Sequence, residues 1–314
     1  MGLQHSSGNT LETGPAGDGL QATLEAHQAW LAQLPQGRRA ILEGFALSDR
    51  KLQRVNLKRA LLLNTTWLES DLTSADFSEA ELEFSDLRRV TLSDGDLTGA
   101  TITGVRFDRA LLSGTSFSEA KVQTCSFVHA AMSESRWIGA VVQQTDFTGA
   151  RASAAAFHQA RLFDCILTDM DLENAVLYHA RFQLCRLVSV NANGANFSMA
   201  RLLACDASRS DWNGARFYRA DLSRSHFDQS ALRECDFREA KLNGATFLGA
   251  SLCDSRFGDA DLTLADLRAA NLKGARELTG EQLCSARTDE RTILPGGRSG
   301  PYLKRSGAER PAPR

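Results

Sequence analysis

The 314-residue chain has no run of eighteen apolar residues, and its start lacks a cationic stretch followed by an apolar one. Neither a membrane-spanning helix nor a Sec-type signal peptide is therefore expected. Neither charge sign dominates, since 36 basic residues face 38 acidic ones for a formal net charge of −2. That balance gives no long-range field for nucleic acid, so any electrostatic function has to be local. The six histidines show no metal-ligand spacing, and no GxSxG, P-loop, HExxH or dinucleotide fingerprint occurs. Seven cysteines, an odd number spread through a long chain, fit a reducing compartment better than a disulfide framework. With 43% hydrophobic residues, the chain can bury a core without metals or disulfides. The expectation is a cytoplasmic protein with no cofactor and no membrane span.

What the chain does have is a period of five that never slips. At the forty-five positions taken every fifth residue from Leu52 to Leu272, only Ala152, Ala192 and Ala207 are not Leu, Phe, Ile, Val, Met or Trp. Two residues before each centre stands a small side chain, such as Ala75, Ala120, Ala160, Ala180, Ala200 or Ala240. The other three places in each unit are mostly polar or charged. A helical period or strict alternation would drift off this lattice within a few units. One such unit cannot bury its own apolar residue, so the units have to stack as a solenoid.

The consensus A-(D/N)-L-x-x is matched by ADFSE (75–79), GDLTG (95–99), ANFSM (195–199), ADLSR (220–224), ADLTL (260–264) and ANLKG (270–274). On these units the chain resembles the pentapeptide-repeat family over roughly residues 50–276. The resemblance implies an all-β solenoid, a right-handed quadrilateral β-helix in which four pentapeptides make one coil and the centre and small residue point inward. A second pattern fits four sides independently. Phe and Trp fall mainly on centres ending in 7, from Trp67 to Phe257, while centres ending in 2 are mainly aliphatic. The chemical period is thus ten, half of a square circuit. Twenty residues make one coil, so ARLFDC (160–165), ARFQLC (180–185) and ARLLAC (200–205) should lie one above another, about 4.8 Å apart. About eleven coils would make a rod on the order of 50 Å long at that spacing.

Both ends need covers, since open coils stack on other copies. Residues 1–18 read as a disordered segment, and 19–49 as a helical N-terminal cap with Leu20, Leu24, Trp30, Leu31 and Leu34 at helical spacing, ended by Pro35 and Gly37. Residues 277–294 read as a C-terminal cap with a short helix whose capping box is Thr279 and Gln282, and 295–314 as a flexible tail. Met1 to Ser6 also fits a myristoylation pattern, which matters only inside a host cell.

No residue pattern suggests catalysis. Cys125, Cys165, Cys185 and Cys205 share one inward column and read as small hydrophobic packing residues. The outward column on one aliphatic side runs Lys121, Val141, Arg161, Arg181, Arg201, Asp221, Lys241, placing three arginines on consecutive coils. Beside them stand Phe163, Leu184 and Leu203, with Tyr178, His179 and Met199 across the adjoining corner. These nine residues form the candidate partner-binding face, because arginine and aromatic side chains anchor protein interfaces. The same arginines also fit a plainer role, with their stems covering core edges. The first coils look acidic, with Glu69, Asp71, Asp76, Glu79, Glu81, Glu83, Asp86, Asp94 and Asp96 answered in that stretch by Arg88 and Arg89.

The leading expectation is a non-enzymatic scaffold that binds another protein, as a monomer or an end-to-end dimer. Some relatives resemble DNA and protect topoisomerases, and gyrase mimicry is the alternative. The fading of acidity after Asp96 speaks against it. A secreted effector or secretion accessory, exported without a signal peptide, is a third reading that family breadth admits.

Overall fold

A computed structural model describes residues 18–311. The N-terminal segment read as disordered, its Met1–Ser6 pattern and residues 312–314 of the tail lie outside the described residues, apart from Asp18, which opens a helix.

The five-residue lattice becomes a four-sided parallel solenoid because each unit solves the same local problem. Ala160 and Leu162 are buried while Arg161, Phe163 and Asp164 are exposed, and that pattern repeats along the chain. The fourth place after each small residue turns the corner with a positive φ, as at Glu79 (58°), Asp164 (53°) and His179 (57°), and glycine takes the same conformation at Gly99 and Gly104. At most corners the next small residue donates its N–H to the preceding centre, as Ala75 does to the Leu72 carbonyl at 2.9 Å. Neighbouring coils satisfy the remaining backbone groups, with Asp76 N–H donating to Val55 in one direction and Phe77 N–H to Asp96 in the other. The Asp or Asn of the consensus has a specific job. Its Oδ1 accepts the N–H two residues on, at 2.8 Å from Ser78 to Asp76 and 3.0 Å from Ser198 to Asn196, forming an Asx turn at the corner.

One wall carries the only named strands among the described residues. They are β1 to β9, at Ile41–Glu43, Leu61–Leu63, Glu81–Glu83, Thr101–Thr103, Lys121–Gln123, Val141–Gln143, Arg161–Phe163, Arg181–Gln183 and Arg201–Leu203. They pair parallel in sequence order with a twenty-residue register. The ladder continues through Asp221 and Lys241 to Asp261, giving twelve rungs rather than about eleven. The extra rung comes from residues 41–49, assigned above to the helical cap. Leu42 and Leu47 are fully buried in phase with Leu52, so the lattice starts earlier than its closest consensus matches suggest.

Aromatic stacking follows the ten-residue chemical period. Phe107, Phe127 and Phe147 stack along one side with centroids 4.8 and 5.1 Å apart, and Phe117 stacks on Trp137 at 4.1 Å on the opposite side. The two ladders meet edge to face across the interior, as Phe107 and Phe117 do at 6.2 Å and 88°.

Helix α1 (Asp18–Leu31) covers the first coil through Leu20, Leu24 and His27. His27 Nδ1 accepts the Ala40 N–H at 3.0 Å, and burial lowers the imidazole pKa below its ordinary value, so the ring acts as a neutral acceptor. Leu34, expected on the apolar face, is instead exposed, because the chain leaves the helix at Gln33 (φ 56°). Gly37 lies against the helix backbone, where a Cβ would sit 2.3 Å from Trp30 N. At the far end, α2 (Gly280–Ser285) has the expected capping box of Thr279 and Gln282. Gln282 Nε2 also donates to the Phe257 and Ala260 carbonyls, each at 2.8 Å, tying the cap to the last coils.

The tail was expected to be mobile, yet 295–311 folds back on the cap. Gly300 donates its N–H to Thr292, Tyr302 N–H donates to Thr288 Oγ1 at 2.9 Å, and the Tyr302 ring packs against the core. The Gly- and Pro-rich composition supplies tight turns here.

Candidate functional site

The arginine column is built by the strand wall. In β7, β8 and β9 the middle residues Leu162, Phe182 and Leu202 are buried, which turns the first and third residues outward. Arg161 pairs in register with Arg181 and Arg181 with Arg201, so the three guanidinium stems rise from adjacent strands. Among the described residues none of the three forms an ion pair. Like charges in directly opposed places cost stability when nothing neutralises them.

The corner before the wall supplies the second bank. Gln159, His179, Met199 and Arg219 follow one another at twenty-residue steps beside the column of Arg161, Arg181, Arg201, Asp221 and Lys241. Together they enclose a groove of about 430 Å³. Of its cations, Arg219 is held by Glu239 at 2.6 Å, whereas Arg161, Arg181, Arg201 and Lys241 have no carboxylate partner among the described residues.

The nine sequence-derived residues do not form one uniform surface. Arg161, His179, Arg181, Met199 and Arg201 line the groove. Phe163 (41% exposed) and Leu203 occupy the outer row of the same wall on either side of Gln183, and Leu184 (53% exposed) stands at its far corner. Tyr178 belongs to the neighbouring wall. Its ring meets His179 edge-on at 4.3 Å, and its hydroxyl donates to the Met199 sulfur at 3.4 Å. Gln159 and Arg219 stand one coil from His179 and Met199, and Lys241 two coils from Arg201, and all three line the groove as well. Below the groove, Tyr218 and Arg219 both bond Glu239, and the Arg219 guanidinium lies 5.0 Å from the Tyr218 ring centre.

The cysteine column has a structural role that serine and threonine share. Cys125, Cys165 and Cys185 thiols point at the carbonyls of Ile102, Val142 and Leu162, as the Thr115 and Ser225 hydroxyls do at Leu92 and Leu202. Burial pushes the Cys125 thiol up to about 11, which leaves it unreactive at neutral pH.

The acidic coils are better neutralised than their local sequence suggests. Arg39 pairs with Glu81 at 2.8 Å, Arg59 and Lys58 with Glu79 at 2.6 and 3.4 Å, and Arg89 with Glu69 at 2.7 Å. Those cations sit one or two coils away.

A family model for pentapeptide repeats matches the chain in overlapping windows running from 51–94 to 232–274. No curated protein matches. Among solved structures, the chain is similar to HetL, a pentapeptide repeat protein involved in heterocyst differentiation regulation from the cyanobacterium Nostoc sp. strain PCC 7120, with 22% identity, 87% of this chain and 96% of that one covered, and a TM-score of 0.38. It is also similar to QnrB1, a plasmid-mediated fluoroquinolone resistance protein, with 19% identity, 50% and 84% coverage, and a TM-score of 0.30. A pentapeptide repeat protein of the Arabidopsis thaliana thylakoid lumen matches with 25% identity, 32% and 66% coverage, and a TM-score of 0.26. No helix among the described residues is long and apolar enough to cross a membrane.

Proposed function

We propose that this chain, which belongs to the pentapeptide-repeat family, is a non-enzymatic scaffold that docks another protein on the Arg161–Arg181–Arg201 wall. The observation that carries this reading is the in-register ladder of three unpaired arginines on a rigid sheet. Opposed guanidinium groups cost the isolated rod stability, and a partner that supplies carboxylates would relieve that cost. The apolar side chains Phe163, Leu184 and Leu203 on the same wall suit a protein rather than a free ion. Both ends of the rod are covered, which favours a monomer over an end-to-end dimer. We assign it to the cytoplasm on its odd complement of cysteines. The DNA-mimic reading would use a stripe of free acids, and four of the nine acids named in the first coils, Glu69, Glu79, Glu81 and Asp86, are each paired with a cation.

Arg181→Glu separates docking from the plainer role of arginine stems covering the core. The substitution sets a carboxylate between Arg161 and Arg201 on the ladder, so the isolated fold should gain about 0.2–1 kcal/mol from opposed charges. Affinity purification with quantitative mass spectrometry should show a protein captured by the wild type and reduced at least tenfold with the variant. A lower melting temperature with unchanged capture would contradict docking and support the covering role.

A further inference from the structure

We infer that the groove and the wall beside it bind an extended peptide segment in which acidic and apolar side chains alternate; this rests on the docking reading above. The wall offers two parallel outward rows separated by one buried residue. The row of Arg161, Arg181 and Arg201 is cationic, and the row of Phe163, Gln183 and Leu203 is largely apolar, with Leu184 at its margin.

An extended chain lying along the rod axis, with its pleat parallel to the wall, sends successive side chains alternately to left and right. One set would reach the arginines and the other the apolar row. The lengths agree end to end, with the flexible arginine stems taking up the difference between a carboxylate step of about 6.6 Å and a coil step of about 4.8 Å. From Arg161 to Lys241 the ladder advances four coils, about 19 Å at about 4.8 Å per coil. Four carboxylates at alternate places of an extended segment span about 20 Å at about 3.3 Å per residue. Each guanidinium can take a carboxylate through two N–H bonds, which relieves the repulsion along the ladder. His179 and Gln159 on the opposite bank add side chains able to donate hydrogen bonds to the same oxygens.

Nucleic acid fits the wall less well. The cations form a single row bordered by an apolar one. Among the described residues no Phe, Tyr or Trp lines the groove as a base-stacking platform, since Tyr178 lies on the next wall bonded to Met199.

Fluorescence anisotropy on the full chain tests the inference with four labelled probes. They are an octapeptide alternating Glu and Leu, a peptide of the same composition with its Glu and Leu in two blocks, an alternating Glu–Ser octapeptide, and an eight-residue oligothymidylate. The alternating Glu–Leu peptide should bind at least tenfold more tightly than each of the others. Phe163→Ser with Leu203→Ser should weaken it about tenfold, and Arg181→Glu more than that, with circular dichroism showing each variant folded. Equal binding of the blocked peptide or the oligonucleotide, or no binding of the alternating peptide at low salt, would overturn the inference. If the alternating peptide fails while Arg181→Glu still loses its captured protein, docking stands and the peptide chemistry falls. If both fail, the wall is not a docking face.

Discussion

Deleting the single residue Ser118 should abolish the fold, whereas excising the twenty residues Val105 to Thr124 should leave a shorter, folded rod. The first change removes only a surface hydroxyl, but it moves every later residue one place along the lattice. Lys121 would then arrive at the small inward position and Gln123 at the centre, where Ala120 and Val122 are now buried. Uncompensated burial of charged and polar groups repeated coil after coil exceeds the roughly 5–15 kcal/mol by which domains are stable. The twenty-residue excision joins Gly104 to Cys125, which occupies the same small inward position one coil on from Val105. Leu87 then underlies Phe127 and Leu97 underlies Trp137, and both stay in the interior. Thermal melts followed by circular dichroism should show a cooperative transition within about 4 °C of wild type for the excision, a shift of roughly the size one kcal/mol produces in a chain of this length. The Ser118 deletion should show none. A Ser118 deletion as stable as wild type would contradict the lattice.

Trp137→Ala should cost about 3–5 kcal/mol, the range for emptying a buried aromatic site. Trp137 is fully buried, stacked on Phe117 at 4.1 Å and on Phe157 at 5.8 Å, and it meets Phe127 and Phe147 edge-on at 5.5 and 5.6 Å. Its Nε1–H donates to Ser135 Oγ at 3.0 Å, so truncation also removes that buried hydroxyl's indole partner. Each coil packs its core mainly against its neighbours, which concentrates the loss in the middle of the rod and lets the two halves unfold separately. Trp137→Phe, which keeps most of the stack, should cost much less. Urea unfolding would measure both, and a loss below about 1 kcal/mol for the alanine variant would argue against aromatic ladders as the main stabilising core.

The repeat made most of the architecture readable because position along the chain is counted covalently and each unit carries the same instructions. Leu162 and Ala160 declare themselves as interior by type alone, and the alternation of aromatic and aliphatic centres exposes the four sides. Conformation at the corners was not readable, since Asp164, His179 and Leu184 adopt positive φ through context rather than residue preference. The fold of the tail depends on Tyr302 finding Thr288, a tertiary contact that a Gly- and Pro-rich composition conceals. Neutralisation of the acidic coils was hidden for a related reason. Arg39 reaches Glu81 from forty-two residues away, a partner that only stacking reveals. At the candidate face the arginine column followed directly from the twenty-residue step. The groove did not, because it forms between two columns on different walls, and its second bank of Gln159, His179, Met199 and Arg219 shows only once those walls are placed side by side.

The alignment of residues twenty apart is most directly tested by cross-linking. Ser133 and Ser153 lie one above another on adjacent coils with their hydroxyls 3.1 Å apart, and a coil spacing of about 4.8 Å falls within the Cα separation a disulfide spans. In a background with Cys253 and Cys284 changed to serine, Ser133→Cys with Ser153→Cys should oxidise almost completely under mild conditions, with the circular dichroism spectrum unchanged. Ser133→Cys with Gln143→Cys, half a circuit apart on opposite walls, should remain as thiols. Efficient cross-linking of the second pair, or none of the first, would contradict the four-sided stack on which every other assignment depends.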